Sequence, residues 1–523
     1  MFATKATLVP NESQAGLFVN ALNLFFSASL RLCARICPKE KSSNGLLMDA
    51  TDATPVSKVL RAGLFVNALN IFFSAPLRLC ARIVFMKILR QLPRSFIAIV
   101  FVAFIASPAL SAQFTLTPRA SVSQEYTDNV FLTEDDKEDD WITGVSLGMT
   151  AEMMERTWGA SLSYDPEYRT YAGSSFEDTW RHLGTFNAWA DLSRNSRIEL
   201  DDRLLSTEDP ISNENIAEIR TAEPGVVIDP AIRRTRNTYL RNNADVSFTH
   251  TYAERSSFDL GYNYGILRND AGVEEGFEDN DQHTARAGLS HWFSPQWGAD
   301  ADITYDMVDY ELSDDRERLL AAVGIRYAFS RALTGFVRYS HSVVQYEGAT
   351  EDAKTYNPSA GIEYDIAEDI NFLLEVGYFI NDFDLREDES GATVDSRLTK
   401  RFRRGSIAFS ALGGYDYSLG SAEADLGLQQ FFEAGVSGGY QLTRRISGNL
   451  FASYRFSDYL DSVPAREDTT IRGGAGLSIQ PLQWMTIALN YVFRSIDSTI
   501  ETDYVENRGV LNVTVSPAVP YRW

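Results

Sequence analysis

The segment WGADADITYDM, Trp297 to Met307, decides the fold. Trp297, Ala299, Ala301, Ile303, Tyr305 and Met307 share one parity, and Asp300, Asp302, Thr304 and Asp306 share the other. Successive side chains of a β-strand point to opposite faces, so a period of two writes one apolar and one polar face. In RRISGNLFASYRF, Ile446, Leu450, Ala452, Tyr454 and Phe456 alternate with Ser447, Asn449, Ser453 and Arg455. The same period runs through SSFDLGYNYGIL, RERLLAAVGIRYAF, INFLLEVGYFI, GSIAFSALGGYDY, TTIRGGAGLSI and QWMTIALNYVFRS. From Phe114 onward no helical periodicity of useful length interrupts it.

Soluble sandwiches alternate as well, and the connections separate the two architectures. Short turns recur around Met153 to Arg156, Arg194 to Ser196, Ala253 to Ser256, Ser294 to Gln296, Ser330 to Ala332, Ala367 to Asp369, Phe402 to Arg404, Thr443 to Arg445 and Pro481 to Gln483. Between them lie longer acidic stretches: EDDKEDD (Glu134 to Asp140), NDAGVEEGFEDND (Asn269 to Asp281) and REDESGATVD (Arg386 to Asp395). Short turns on one side and long loops on the other predict a transmembrane antiparallel up-and-down β-barrel. Segments of ~10 residues, the length a tilted strand needs to cross a bilayer, number about 20, within a range of about 16 to 20; Val394 to Phe402 is the weakest. An even count puts both termini in the periplasm.

Composition narrows the function. The 523 residues hold 48 Lys plus Arg against 71 Asp plus Glu, a net charge of -23, which excludes ordinary nucleic-acid binding. A mean hydropathy of -0.20 argues against a polytopic helical membrane protein. Aromatic residues reach 12%, too many for a disordered chain.

The chain divides at residue 112. Ala15 to Ile36 (AGLFVNALNLFFSASLRLCARI) returns at Ala62 to Ile83 with two changes, a duplication too close for a selected solenoid. Each copy is short for a span, so residues 1–85 read as a non-native upstream extension. Met86 opens MKILRQLPRSFIAIVFVAFIASPALSA: Lys87, Arg90 and Arg94 form a basic n-region, Phe96 to Ile105 an apolar core, and Ala109, Ser111 and Ala112 a small-residue cleavage site. Residues 86–112 are thus a signal peptide and 113–523 the barrel. Cys33, Cys37 and Cys80 all lie upstream, so the exported part has no thiol chemistry. It carries 36 Lys plus Arg against 67 Asp plus Glu, a net of -31.

At the C-terminus, Leu511, Val513, Val515, Val519, Tyr521 and Trp523 share one parity, and the chain ends on an aromatic. Tyr521 and Trp523 form a C-terminal barrel signal, with Pro517 and Pro520 as departures because each removes a ladder donor. The opening ASVSQEYTDNVFLTEDD (Ala120 to Asp136) resembles the start of a family of outer-membrane β-barrel porins of about this length. The resemblance covers residues 113–523 in architecture, and only this stretch and the terminal aromatic are motif-like. It implies a bacterial outer-membrane location among lipid and lipopolysaccharide, insertion by the barrel assembly machinery, and an association with polysaccharide export components, since relatives are encoded near exopolysaccharide or surface-sorting genes.

Three functions stay open. The first is a porin-like channel for passage or export of polar solutes, saccharides among them, because 16 or more strands leave a water-filled lumen unless plugged. The second is a non-conducting envelope, adhesion or assembly barrel. The third is an outer-membrane lipid hydrolase. GVSLG (Gly144 to Gly148) and GVSGG (Gly435 to Gly439) match a nucleophile elbow, which works only at a strained strand-to-helix turn, and both lie inside alternating strands. His182, His250, His283, His291 and His341 have no ligand spacing, and no enzyme activity, cofactor or metal site is assigned.

Two groups of candidate pore residues follow from the alternation. Lumen parity places Arg455, Arg472, Arg494 and Arg508 one per strand on the last four strands, each three or four residues from the long-loop end. Arg326 and Arg338 form a second patch. Each arginine is expected either to pair with a lumen carboxylate such as Asp300, Glu375 or Glu433, or to build a cationic strip. The longest loop, Thr207 to Arg236, carries Glu208, Asp209, Glu214, Glu218 and Glu223 beside apolar residues, and is expected to narrow the lumen. The leader reading has a direct check: intact-mass measurement of the membrane-inserted protein should give a chain starting near Gln113, and a species retaining Ala15 to Ile83 would refute it.

Overall fold

A computed structural model describes residues 112–173, 178–208, 238–270, 278–348, 350–383, 387–418, 427–460, 465–500 and 503–523. Its elements are β1 (Gln113–Thr127), β2 (Asp140–Met154), β3 (Trp158–Tyr171), β4 (Thr179–Ser193), β5 (Ser196–Thr207), β6 (Tyr239–Ala253), β7 (Ser256–Asn269), β8 (Asn280–Trp292), β9 (Trp297–Tyr310) and β10 (Arg316–Ala328). They continue as β11 (Leu333–Tyr346), β12 (Ala353–Ala367), β13 (Ile370–Phe383), β14 (Glu389–Phe402), β15 (Gly405–Ser418), β16 (Gly427–Thr443), β17 (Ile446–Tyr459), β18 (Arg466–Leu482), β19 (Met485–Ser498), β20 (Tyr504–Val515) and the two-residue β21 (Tyr521–Arg522). Each strand pairs antiparallel with the next, and β20 returns to β1, closing a barrel of 20 strands.

The nine connections at one rim have two to four residues, and the ten at the other have five to thirty-one. The expected asymmetry is therefore present, and the short turns fall within a residue or two of the expected positions. Two stretches differ. Residues 389–395, expected as part of an acidic loop, are strand in β14, because their backbone pairs with β13 from Asn381↔Glu389 to Glu375↔Asp395. Arg472 lies six residues from the long-loop end of its strand instead of three or four, because β18 starts at Arg466.

The outward parity is apolar: Leu260, Ile303, Val323, Val376, Leu450, Leu477 and Leu489 all stand on the exposed face. The inward parity carries the polar residues, so the barrel is inverted relative to a soluble protein. Lipid offers no partner for N–H or C=O groups, and a closed barrel satisfies them between strands.

Closure is uneven. β20 pairs β1 from Thr127↔Arg508 to Ala120↔Val515, breaks at 516–520, and resumes as β21 with Leu116↔Tyr521 and Thr115↔Arg522. The break contains Pro517 and Pro520, which cannot donate to a ladder. Two extra residues are accommodated there, an even number, so Val515, Tyr521 and Trp523 keep one parity. Phe114 and Trp523 then exchange both backbone hydrogen bonds (3.2 and 3.1 Å), and their rings pack with centroids 5.4 Å apart.

The exterior is tested by placing a charge on it. Ile303→Arg, near mid-strand on β9, should lower unfolding stability by about 2–4 kcal/mol, and Leu450→Arg, nearer the short-turn rim, by less. Urea titration in lipid vesicles, with unboiled against boiled gel mobility as the folding control, measures both.

Candidate lumen site

The inward faces of β16 to β20, β1 and β3 carry a belt of charge. Glu433 on β16 stands opposite Arg455 on β17 and lies 3.5 Å from both Arg455 Nη1 and Arg472 Nη2. Arg472 stands directly opposite Arg494. Arg494 makes no ion pair among the described residues; its guanidinium lies 5.6 Å from the Tyr504 ring centroid. Arg508 Nε lies 2.7 Å from Glu125 Oε1, and Glu125 Oε2 accepts from Arg169 at 2.9 Å. Glu506 accepts from Thr127 Oγ1 at 2.9 Å. Arg169, Arg455, Arg472, Arg494 and Arg508 thus gather around Glu125, Glu433 and Glu506, and the same strands add the Arg119–Asp165 and Arg466–Asp468 pairs and Glu167.

Each of Arg169, Arg455, Arg472, Arg494 and Arg508 is buried on the inner side of the barrel. Arg455 also donates to Ser457 Oγ at 3.1 Å and lies 4.3 Å from the Phe431 ring centroid. In sites this dry, a guanidinium aligned with carboxylates and aromatic faces holds a fixed orientation.

The belt reaches β3 by crossing β2, which is glycine-rich there for a steric reason. A Cβ at Gly144 would sit 2.0 Å from Glu167 Oε1, and one at Gly148 would sit 1.8 Å from Asp165 Oδ1. The bare backbone lets Ser123 Oγ donate to Glu167 at 2.8 Å and lets Arg119 pair with Asp165. The GVSLG pattern is thus a bridge bed inside a strand.

Ten strands away, across the barrel by strand count, β7 to β9 line the lumen with Asp259, Asp300, Asp302 and Asp306. Asp300 receives Arg326 Nε at 2.6 Å and Arg338 Nη2 at 3.4 Å, which gathers the second arginine patch around one carboxylate. Arg326 also reaches Glu363 at 3.2 Å, and Arg338 lies 3.9 Å from Glu375. Nearer the long-loop rim, Arg316 and Asp306 form a pair at 3.4 Å with almost no solvent access.

Of the candidate loop residues, Glu208 is buried and accepts from Tyr171 Oη at 2.5 Å. Asp209, Glu214, Glu218 and Glu223, with most of the segment Thr207 to Arg236, lie outside the described residues.

Two features at the long-loop rim had no counterpart in the expected site. Asp128 and Asn129 fold over β20: Asp128 accepts from Asn507 N and Nδ2, both at 2.7 Å, and Asn129 Nδ2 donates to Val505 O at 3.1 Å. Leu132 joins Ile496 and Tyr504 in a buried cluster. The DNVFL stretch is therefore an inward clasp over the seam of the barrel.

The second feature is a tucked hairpin. β14 and β15 pair only from Phe402↔Gly405 to Val394↔Gly413, so 389–393 and 414–418 do not pair with each other. Tyr415 and Gln430 stand opposite each other on β15 and β16 and would face outward by parity. Instead the Tyr415 ring packs 5.0 Å from Phe379, and Gln430 Nε2 lies 2.6 Å from where a Cβ of Gly391 would be. Phe379 and Gly391 are registered on the inner face of β13 and β14. Beyond Gly413 the hairpin has passed inside its neighbour, and Leu428 is buried with Val344, Ala353 and Phe383. The signal in the sequence was the Gly413–Gly414 pair, where β15 can leave the wall without a side chain in the way.

Among the described residues, no histidine is hydrogen-bonded to both a serine and a carboxylate. His250 Nδ1 lies 2.8 Å from Ser196 Oγ, beside the short turn at residues 194–195, and its ring packs 5.3 Å from Phe258. No carboxylate bonds His250 among the described residues. At the same rim, a hydrogen bond from Lys400 holds the Asp369 carboxyl below the usual carboxylate range.

No known family profile matches the chain, and no curated protein does. Solved structures similar to it include the FrpB iron transporter from Neisseria meningitidis (F5-1 variant), at 12% identity over 77% of this chain and 82% of that one, with a TM-score of 0.45. OccAB4 from Acinetobacter baumannii is 12% identical over 79% and 100% (TM-score 0.37), and OccK8 (OprE) from Pseudomonas aeruginosa 12% over 78% and 98% (TM-score 0.35). The barrel assignment rests on the strand pairing itself.

The tuck is open to a chemical check. In the chain beginning at Gln113, which has no cysteine, Gly391→Cys with Gln430→Cys should be joined rapidly by a short bismaleimide, and Gly391→Cys with Asn490→Cys should not. Equal reactivity of the two pairs would place the hairpin in the wall.

Proposed function

We propose that the barrel is a porin-like channel of a bacterial outer membrane, with its short turns and both termini on the periplasmic side, for passage or export of polar solutes. The observation that carries this reading is the inversion of the wall: an apolar exterior around an interior in which an arginine-rich belt stands ten strands from a row of aspartates. Such a pair of walls sets a transverse field across any water column between them. Fixed charge at close quarters decides which ions and dipoles pass. Arg326 and Arg338, drawn onto Asp300, trim the acidic wall. Insertion would use the barrel assembly machinery, and the outer rim would meet lipopolysaccharide. Residues 86–112 would direct export, and polysaccharide export components are the natural partners if the solute is a saccharide.

The runner-up is a non-conducting envelope barrel that serves adhesion or assembly. The inward clasp over β20 and the tucked β15–β16 hairpin favour it, since both reduce the opening at the long-loop rim. Among the described residues the Ser196–His250 pair has no carboxylate bonded to it, and no observation favours the hydrolase reading.

Planar-bilayer recording separates the two readings. The purified barrel should give unitary currents, and replacing Arg455, Arg472, Arg494 and Arg508 together with Gln should move the zero-current potential toward cation selectivity under a salt gradient. Gel mobility before and after boiling checks that the variant folds. A folded protein without unitary currents refutes the channel; unitary currents with an unmoved potential make the arginines structural.

A further inference from the structure

Directly below the tucked hairpin, where β14 and β15 part, the lumen wall holds a cavity of about 330 Å³. Arg318, Ser342, Asn357, Glu375, Asp395 and Phe431 are among its lining residues, drawn from β10, β11, β12, β13, β14 and β16. Its chemistry is not exhausted by contacts within the protein. Arg318 makes no ion pair among the described residues, and its Nε is buried without a hydrogen-bond partner. The Ser342 hydroxyl, on a residue 2% exposed, has none either. Buried polar atoms are normally satisfied, and an orphan calls for an explanation such as an absent ligand.

Glu375 and Asp395 stand directly opposite each other in register. Glu375 accepts from Ser359 Oγ at 2.5 Å and already has Arg338 Nη1 3.9 Å away, while Asp395, which makes no hydrogen bond or ion pair among the described residues, is the freer acceptor of the two. Phe431 adds an aromatic lining group at the same level. The cavity thus offers two carboxylate acceptors, one guanidinium donor, one free hydroxyl and one aromatic ring.

We propose that this cavity binds a neutral pyranose unit of a saccharide, with the ring's C–H face on Phe431, hydroxyl donors toward Asp395 and Glu375, and a hydroxyl or ring oxygen accepting from Arg318. Charged alternatives fit less well. A dicarboxylate meets two carboxylates. A cation leaves the Arg318 guanidinium facing a like charge. A hydrocarbon chain strands the polar lining. A sugar presents an apolar face and several two-way hydroxyls, the combination that this lining complements. The proposal names a substrate class for the channel reading and rests on it only for how the sugar arrives.

Maltotriose serves as the probe, with succinate and lysine as the charged comparators. Isothermal titration of the detergent-solubilised barrel should show saturable binding of maltotriose alone, weakened about tenfold or more in Asp395→Asn and in Arg318→Gln, since each substitution removes a hydrogen bond to a charged group. In planar bilayers the same sugar should add current noise that these substitutions remove. No binding, unchanged binding in both folded variants, or binding of succinate or lysine in its place overturns the proposal. Binding by a barrel that carries no current sustains the site and removes the channel; a conducting barrel that ignores maltotriose does the reverse.

Discussion

Everything in this molecule depends on the last strand reaching the first. A β-sheet in lipid has no water to satisfy its edges, so each backbone donor and acceptor must be paired within the protein. The seam between β20 and β1 is also where the sequence is least suited to pairing, because Pro517 and Pro520 interrupt the ladder. Both ends of the seam are reinforced. At the short-turn end, β21 and Trp523 re-engage Thr115 and Phe114 after a two-residue excess that leaves parity intact. At the other, Asp128 and Asn129 bond across onto β20. The aromatic terminus and the DNVFL stretch, far apart in sequence, serve one closure.

Closure fixes the inside. Once the apolar parity is committed to the exterior, the interior must take charge, and charge in a confined wall has to be paired or hydrogen-bonded. The protein meets this by sharing carboxylates: Glu125 serves Arg169 and Arg508, Glu433 serves Arg455 and Arg472, and Asp300 serves Arg326 and Arg338. Such pairs add little to stability when desolvation is counted, and their value lies in the orientation and potential they fix.

The wall was legible in the sequence because it is a period-two object. Parity assigns Leu450 outward and Arg455 inward without knowledge of any neighbour, and the short turns set register by their length. What joins one strand to its next-but-one neighbour was hidden. That Arg169 meets Glu125 across β2 depends on Gly144 and Gly148 lacking side chains, which one strand's own pattern does not reveal. Parity itself misleads at the β15–β16 hairpin. Tyr415 and Leu428 fall on the outward set, yet they pack against inner-face residues, because the hairpin has crossed to the other side of β14. Alternation specifies faces relative to a sheet and says nothing of where the sheet stops being continuous.

That discontinuity is tolerable only because of where it lies. β14 loses β15 as a partner from residue 393 to 389, at the long-loop end, nine residues beyond the start of their pairing at Phe402. At a tilted rise of roughly 2.5 Å per residue along the barrel axis, the pairing spans about 20 Å from the short-turn rim, most of the ~25 Å apolar band. The unpaired groups therefore emerge close to where headgroups and water can satisfy them. A break nearer mid-membrane would expose several unsatisfied groups to hydrocarbon at several kcal/mol each. The position of the Gly413–Gly414 pair along β15 is thus set by the bilayer, and the recess that the departing hairpin leaves on the lumen side forms at that height for the same reason.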